Sequence, residues 1–151
     1  MWQIAKFDAL SINQLYDILK LRVDVFVVEQ QCYYPELDDK DRHPDTLHLF
    51  CYTQQQLHAY LRILPQGVEY TDHIALGRVV VEQSARNTGL GHQLVQQAID
   101  LCQQYWPTVS IKISAQHHLL AYYQQHGFVS CSEMYLEDNI PHIAMLRTPK
   151  N

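Results

Sequence analysis

The residues with the clearest chemical meaning are Arg86-Asn87-Thr88-Gly89-Leu90-Gly91, which stand between a β-branched run and an amphipathic run. Glycine in such a turn lets successive backbone N–H groups point inward and lets a ligand approach the main chain closely. The run that follows begins a helix, whose first-turn N–H groups lack intrahelical partners and whose dipole is positive at that end. Strand, glycine turn and helix N-terminus together make an anion site suited to a phosphate or pyrophosphate. Two familiar phosphate loops do not fit. The dinucleotide fingerprint needs a third glycine where Leu94 stands, and the P-loop needs Lys-Ser/Thr where His92-Gln93 follow Gly91.

The elements that must position this turn can be read from periodicity. Ile74 to Val81 contains Gly77-Arg78-Val79-Val80-Val81, a strand by its β-branched content. Leu90, Leu94, Ala98 and Leu101 recur at helical spacing until Pro107 ends the pattern. Val109, Ile111 and Ile113 then alternate with Ser110, Lys112 and Ser114, a second strand. Strand, helix and strand make a βαβ unit with its two strands parallel. A further helix is predicted from about His117 to His126, with Gly127 as its left-handed stop. Phe128 to Leu136 and His142 to Arg147 read as a closing antiparallel pair.

Upstream, Trp2 to Phe7 alternates as a first strand, and Ser11 with Gln14 forms a capping box for a helix carrying Ile12, Leu15, Tyr16 and Leu19. Leu21 to Gln30 has strand-like composition, but Val23, Phe26 and Val27 keep helical spacing, so the reading is a short continuing helix. Gln31 to Thr46 is a polar loop. Its Glu36, Asp38, Asp39, Asp41 and Asp45 make either a solvated segment or a rim that attracts a cation. Leu47 to Thr53 and Leu57 to Leu64 form a hairpin that leads, by way of Pro65-Gln66-Gly67, into the strand at Ile74, an antiparallel meander.

Composition narrows the function. With 151 residues, 47% hydrophobic and 18% charged, the chain is read as a single folded domain over residues 1–151. No apolar run reaches the roughly 18–20 residues of a membrane span, and Met1 to Lys6 lacks a signal-peptide pattern, so a cytoplasmic protein with no membrane partner is expected. The four cysteines are widely spaced, with no Cys-x-x-Cys, and the nine histidines show no ligand spacing, so no metal is expected. A net charge of −5 without a basic stripe argues against nucleic acid and suits a cationic partner such as an amine.

The Arg-x-x-Gly-x-Gly turn resembles motif A of the GNAT superfamily of N-acetyltransferases. Gln116, Tyr123, Gly127 and Phe128, in the spacing Gln-x6-Tyr-x3-Gly-Phe, are similar to its motif B, where Asn is common at the first position. Leu21-Arg22 with Val25-Phe26-Val27-Val28-Glu29-Gln30, and Glu137-Asp138 with Ile140-Pro141-His142-Ile143, look like the ElaA-type branch of that superfamily. The resemblance covers nearly the whole chain. It implies a mixed α/β (α+β) fold: a mostly antiparallel central sheet, one parallel βαβ pair splayed at a coenzyme cleft, and helices on both faces. It also implies acetyl-CoA as cosubstrate. Its pyrophosphate would lie on Arg86, Asn87, Thr88, Gly89, Leu90, Gly91 and His92, and its pantetheine arm along Val79, Val80 and Val81, near Gln116 and Tyr123. Asn87 replaces a common glycine, and asparagine tolerates the left-handed region better than most residues.

Transfer of an acetyl group to an amine needs a neutral amine, a stabilised oxyanion and a protonated leaving thiolate. The resemblance makes a backbone N–H near Val79 or Val80 the oxyanion donor and Tyr123 the general acid, since a phenol of pKa ~10 keeps its proton at neutral pH. Glu29, His142 and Glu82 are the candidate bases. The acceptor is left open among small polyamine, amino sugar, peptide N-terminus and lysine side chain, and a homodimer is compatible with similar proteins. The alternative is a non-catalytic acyl-CoA-binding module or sensor, which would not need Tyr123. A nucleotide-binding protein is a third reading, weakened by the missing lysine after Gly91.

Overall fold

The computed structural model describes residues 2–150. Eight strands form one sheet: β1 (Trp2–Ala5), β2 (Leu47–Thr53), β3 (Gln56–Leu64), β4 (Ile74–Val81), β5 (Ile111–Gln116), β6 (Val129–Ser130), β7 (Tyr135–Glu137) and β8 (Ile140–Arg147). The order is β1-β2-β3-β4-β5-β8-β6, with β7 also on β8. All pairings are antiparallel except β4 with β5. The helix α2 (Leu90–Tyr105) makes the crossover between those two parallel strands. This is the mixed sheet with one parallel pair that the sequence predicts.

Helices cover both faces. On one side α2 buries Leu94, Val95 and Ala98 against Leu49, Leu61, Ile63 and Ile113 of the sheet. Each fully buried leucine there contributes about 1.5–3 kcal/mol. On the other side α1 (Ile12–Arg22) packs Ile18 and Leu21 on Phe50, Tyr60 and Val80. The capping box is present, with Gln14 N–H donating to Ser11 Oγ at 3.0 Å and Ser11 N–H to Gln14 Oε1 at 2.9 Å. The chain then continues into a π-helix over Val23–Glu29, closed by Gln30 N–H on the Val25 carbonyl at 2.9 Å. Helical spacing thus wins over β-propensity in this segment, but with a wider turn.

Several boundaries differ from expectation. The first strand stops at Ala5, because Phe7–Ala9 turn as a 3-10 helix. The helix before Gly127 is shorter: a 3-10 turn over His117–Leu119 leads into α3 (Leu120–Gln124). Gly127 does end it, at φ +88, where a Cβ would also meet Arg147 Nε at 3.2 Å. The closing strand pair is broken into β6 and β7, both laid on β8. Its hairpin turn places Asp138 and Asn139 at φ 50° and 63°, the mirror-image turn that suits twisted strands.

The acidic loop is corrected most. Glu36 and Asp41 are buried. Arg22, itself buried, donates to Glu36 Oε2 at 2.6 Å and Asp41 Oδ1 at 2.8 Å. Arg62 meets Asp38 at 2.6 Å and Asp41 at 3.0 Å. Arg78 meets Glu36 at 2.8 Å. These three acids therefore offer neither a solvated segment nor a free anionic rim; they tie the loop to α1, β3 and β4. The four cysteines are free, three of them buried. Among the described residues no helix is long and apolar enough to cross a membrane, and no group of three or more His, Cys, Asp or Glu could hold a metal ion.

Candidate functional site

The site begins where the parallel pair comes apart. β4 and β5 pair only at Ile74–Ile111 and Ala75–Lys112. Beyond that the strands diverge, and Leu76, Gly77 and Val79 face Ile113, Ser114 and Gln116 across a cleft of about 260 Å³. Because strand side chains alternate, this lining mixes residues of both faces. Ile113 and Ala115 belong to the core under α2, whereas Ser114 and Gln116 stand on the opposite parity of β5.

A bulge sharpens the divergence. Between β3 and β4 the register steps from Tyr60–Val80 to Arg62–Gly77, so three steps along β4 match two along β3. The extra residue lies at Arg78, which adopts φ 52°. Its guanidinium holds the Glu36 carboxylate and carbonyl, at 2.8 and 3.0 Å, and lies 5.3 Å from the Tyr34 ring centroid. The strain of a non-glycine left-handed residue is held by this anchoring. The bulge sits directly before Val79, which lines the cleft, while Val80 turns into the α1 core and Val81 packs toward α2.

The glycine turn lies at the C-terminal end of β4. Asn87 and Gly89 have φ 63° and 84°. Among the described residues, no acceptor within the chain is found for the backbone N–H groups from Asn87 to His92, whereas Gln93 N–H is satisfied by the Gly89 carbonyl. Asn87, Thr88, Gly89, Leu90, Gly91 and His92 thus form a turn at the N-terminus of a long helix, an arrangement whose amides can bind an anion. Thr88 Oγ1 braces the turn on the Ala85 carbonyl at 2.6 Å. At Gly91 a Cβ would come within 3.0 Å of the Tyr122 hydroxyl, so a side chain there would require that ring to shift. The His92 ring is turned outward onto α3, 4.4 Å from the Tyr122 centroid and with Nδ1 2.9 Å from His126 Nε2.

Arg86 braces the turn instead of standing free. Its Nε donates to the Val81 carbonyl at 3.0 Å, and its two terminal nitrogens hold Glu29 at 2.7 and 3.0 Å. Those hydrogen bonds keep the Glu29 carboxyl below the usual range. A carboxylate so committed is a poor proton acceptor, and Glu29 does not line the cleft. Neither does Glu82, which accepts from Ser84 N–H at 2.9 Å as the cap of a 3-10 turn. Of the three candidate bases only His142 lines the cleft. Its Nδ1 lies 2.7 Å from the Ile140 carbonyl and therefore carries the proton, leaving Nε2 as the proton-accepting nitrogen.

Tyr123 lines the cleft with its ring packed edge-on against Phe128 and Tyr122. Burial, then the neighbouring Tyr122, pushes its hydroxyl above the ordinary phenol value, so it stays protonated. Among the described residues its hydroxyl has no hydrogen-bond partner, and it is not one of the sealed polar atoms. Gln116 lies at the mouth, 3.4 Å from Gln30. Sequence reasoning missed Phe26, Arg62, Arg78 and Glu137 as cleft residues. Phe26 and Glu137 had a signal, as both stand in the segments that marked the closer branch. Arg62 and Arg78 had none, because their place depends on acids far away in the chain.

Comparison with known proteins agrees with this geometry. A family model described as "Acetyltransferase (GNAT) domain" matches residues 16–148. Protein ElaA of Escherichia coli K12 is 39% identical over 146 residues, 97% of this chain and 95% of that protein. The crystal structure of Escherichia coli ElaA superposes with a TM-score of 0.92 at 38% identity, over 97% of this chain and 98% of that one. An acyl-CoA N-acyltransferase from Pseudomonas aeruginosa superposes with a TM-score of 0.93 at 44% identity, over 98% and 99% of the two chains.

Proposed function

This chain belongs to the GNAT acetyltransferase family, in its ElaA-like branch, and from that premise we propose that it moves an acetyl group from acetyl-CoA to a primary amine. The observation that carries the reading is the open seam between β4 and β5. Val79, Gln116, Tyr123 and His142 line the cleft at that seam, and the glycine turn follows the C-terminal end of β4 outside this lining.

The roles follow from what each group can do. The turn amides bind the diphosphate, and the unpaired edges of β4 and β5 receive the pantetheine arm in the manner of an added strand. Gln116 keeps an amide at the mouth of the cleft. His142 Nε2 takes a proton from the acceptor's ammonium, so that a neutral amine attacks the thioester carbonyl. A backbone N–H at Val79 or Val80, beside the bulge, stabilises the oxyanion, a contribution of about 3 kcal/mol for donors of this type. As the C–S bond breaks, Tyr123 gives its proton to the departing thiolate. The whole reaction runs within one domain and requires no metal.

The deciding experiment is thiolate release from acetyl-CoA over a panel of primary amines, with product mass measured. A mass gain of one acetyl group on an amine is the expected result. Tight acetyl-CoA binding with no turnover on any amine would favour the binding-module reading.

A further inference from the structure

On the α1 side of the sheet, Ser114 of β5, Glu137 of β7 and His142 of β8 line the cleft, and Tyr135 of β7 packs beside them. Register places Tyr135 opposite His142, and His142 opposite Gln116, so these residues share one face. Ser114 Oγ lies 2.5 Å from the Tyr135 hydroxyl and donates to Glu137 Oε1 at 3.2 Å. Glu137 Oε2 lies 3.4 Å from His142 Nε2. The Tyr135 ring stacks on the imidazole at 6.3 Å between centroids and 23° between planes.

Four carboxylates line this cleft: Asp38, Glu69, Glu137 and Asp138. Asp38 is neutralised by Arg62, and Glu69 by Lys40. Among the described residues, Glu137 has no Lys or Arg partner; its ion-pair partner is the imidazole that the mechanism leaves open. Asp138, at the exposed hairpin tip, has no such partner either, but no hydroxyl holds it. A carboxylate steered by a serine and a tyrosine toward the proton-accepting nitrogen is placed for a cation that must lose its proton there.

We infer that Glu137 is the acceptor-docking residue: the primary ammonium of the substrate binds between Glu137 Oε2 and His142 Nε2 before deprotonation, with Ser114 and Tyr135 as positioning residues for the carboxylate. The acceptor class is therefore an amine that arrives charged, and the site discriminates against uncharged isosteres. This rests on the acetyl-transfer reading above. It does not add a step to that reaction; the proton passes from the ammonium nitrogen to His142 Nε2, and Glu137 balances the imidazolium that forms.

The test uses the intact protein and has two arms. Wild-type turnover on the amine panel comes first; its complete absence would sink acetyl transfer itself and leave the docking question to binding alone. In the second arm, a good acceptor from the panel and its alcohol isostere are compared as ligands of wild type, Glu137→Gln and Glu137→Asp, by competition where turnover exists and by calorimetry where it does not. Wild type should prefer the ammonium, and Glu137→Gln should lose about tenfold or more of that preference, as for a charge-assisted contact. The KM for acetyl-CoA should not move, and Glu137→Asp should recover part of the preference. Since Glu137 is half exposed and glutamine can still accept from Ser114, folding is not at issue. An unchanged preference in Glu137→Gln, or an equal loss for amine and alcohol, would overturn the proposal.

Discussion

Arg86 and Glu29 stand 57 residues apart in sequence and meet in a two-pronged ion pair, at 2.7 and 3.0 Å. The pair joins the end of the π-helix to the glycine turn that follows β4. It makes Glu29 a brace for that turn. Glu29→Gln should raise the KM for acetyl-CoA while leaving kcat and its pH profile in place. Both partners are more than a third exposed, so the loss of stability should stay below about 1 kcal/mol. Steady-state kinetics across pH check this; disappearance of the ascending limb would return Glu29 to the role of base.

Tyr123→Phe tests the proposed general acid. Tyr123→Phe keeps the ring packing on Phe128 and Tyr122 and removes only the hydroxyl. Coenzyme affinity should be nearly unchanged, and turnover should fall by about tenfold or more, as for loss of a general acid. Equal turnover in the two proteins would remove Tyr123 from the reaction.

Arg22 holds the acidic loop from within. It is wholly buried and bonded to both Glu36 and Asp41. Arg22→Met would leave two buried carboxylates short of a partner. Each keeps a second arginine, Arg78 for Glu36 and Arg62 for Asp41. The expected destabilisation is therefore near the low end for a broken buried pair, about 3 kcal/mol. Urea unfolding measures it, and a change near zero would show the network to be dispensable.

Stability should fall as the solution is acidified. Burial lowers the His48 imidazole, with the nearby arginines acting the same way and Asp41 opposing. Burial, then His92 and Arg147, lowers His126. Burial alone would raise Asp38, but Arg62 and Arg78 outweigh it and bring the carboxyl down to about 2. In each case the folded value lies below the unfolded one, so unfolding takes up protons and the native state loses ground as pH drops. The histidine contribution should fade below an unfolded pKa of ~6.5, and the aspartate contribution between ~4 and the folded value. Melting temperature against pH should show both declines; a rise between neutral and mildly acidic pH would contradict the assignment.

What could be known from the chain alone was what repeats or is local. The capping box at Ser11, the amphipathic face of α2, the αL stop at Gly127 and the Gly89-x-Gly91 turn each depend on residues within a few positions of one another. Local sterics and hydrogen bonding determine them, so the glycine turn and the βαβ unit were legible. The tertiary structure alone decided what each charge faces. Glu36 and Asp41 look like a solvated acidic loop until Arg22, Arg62 and Arg78 arrive from α1, β3 and a bulge in β4. Glu29 and His142 look equally basic until one is paired by Arg86 and the other is carried by β8 to the cleft. A charge's role is set by its neighbours in space, through burial and Coulomb interaction, and those neighbours lie tens of residues away along the chain.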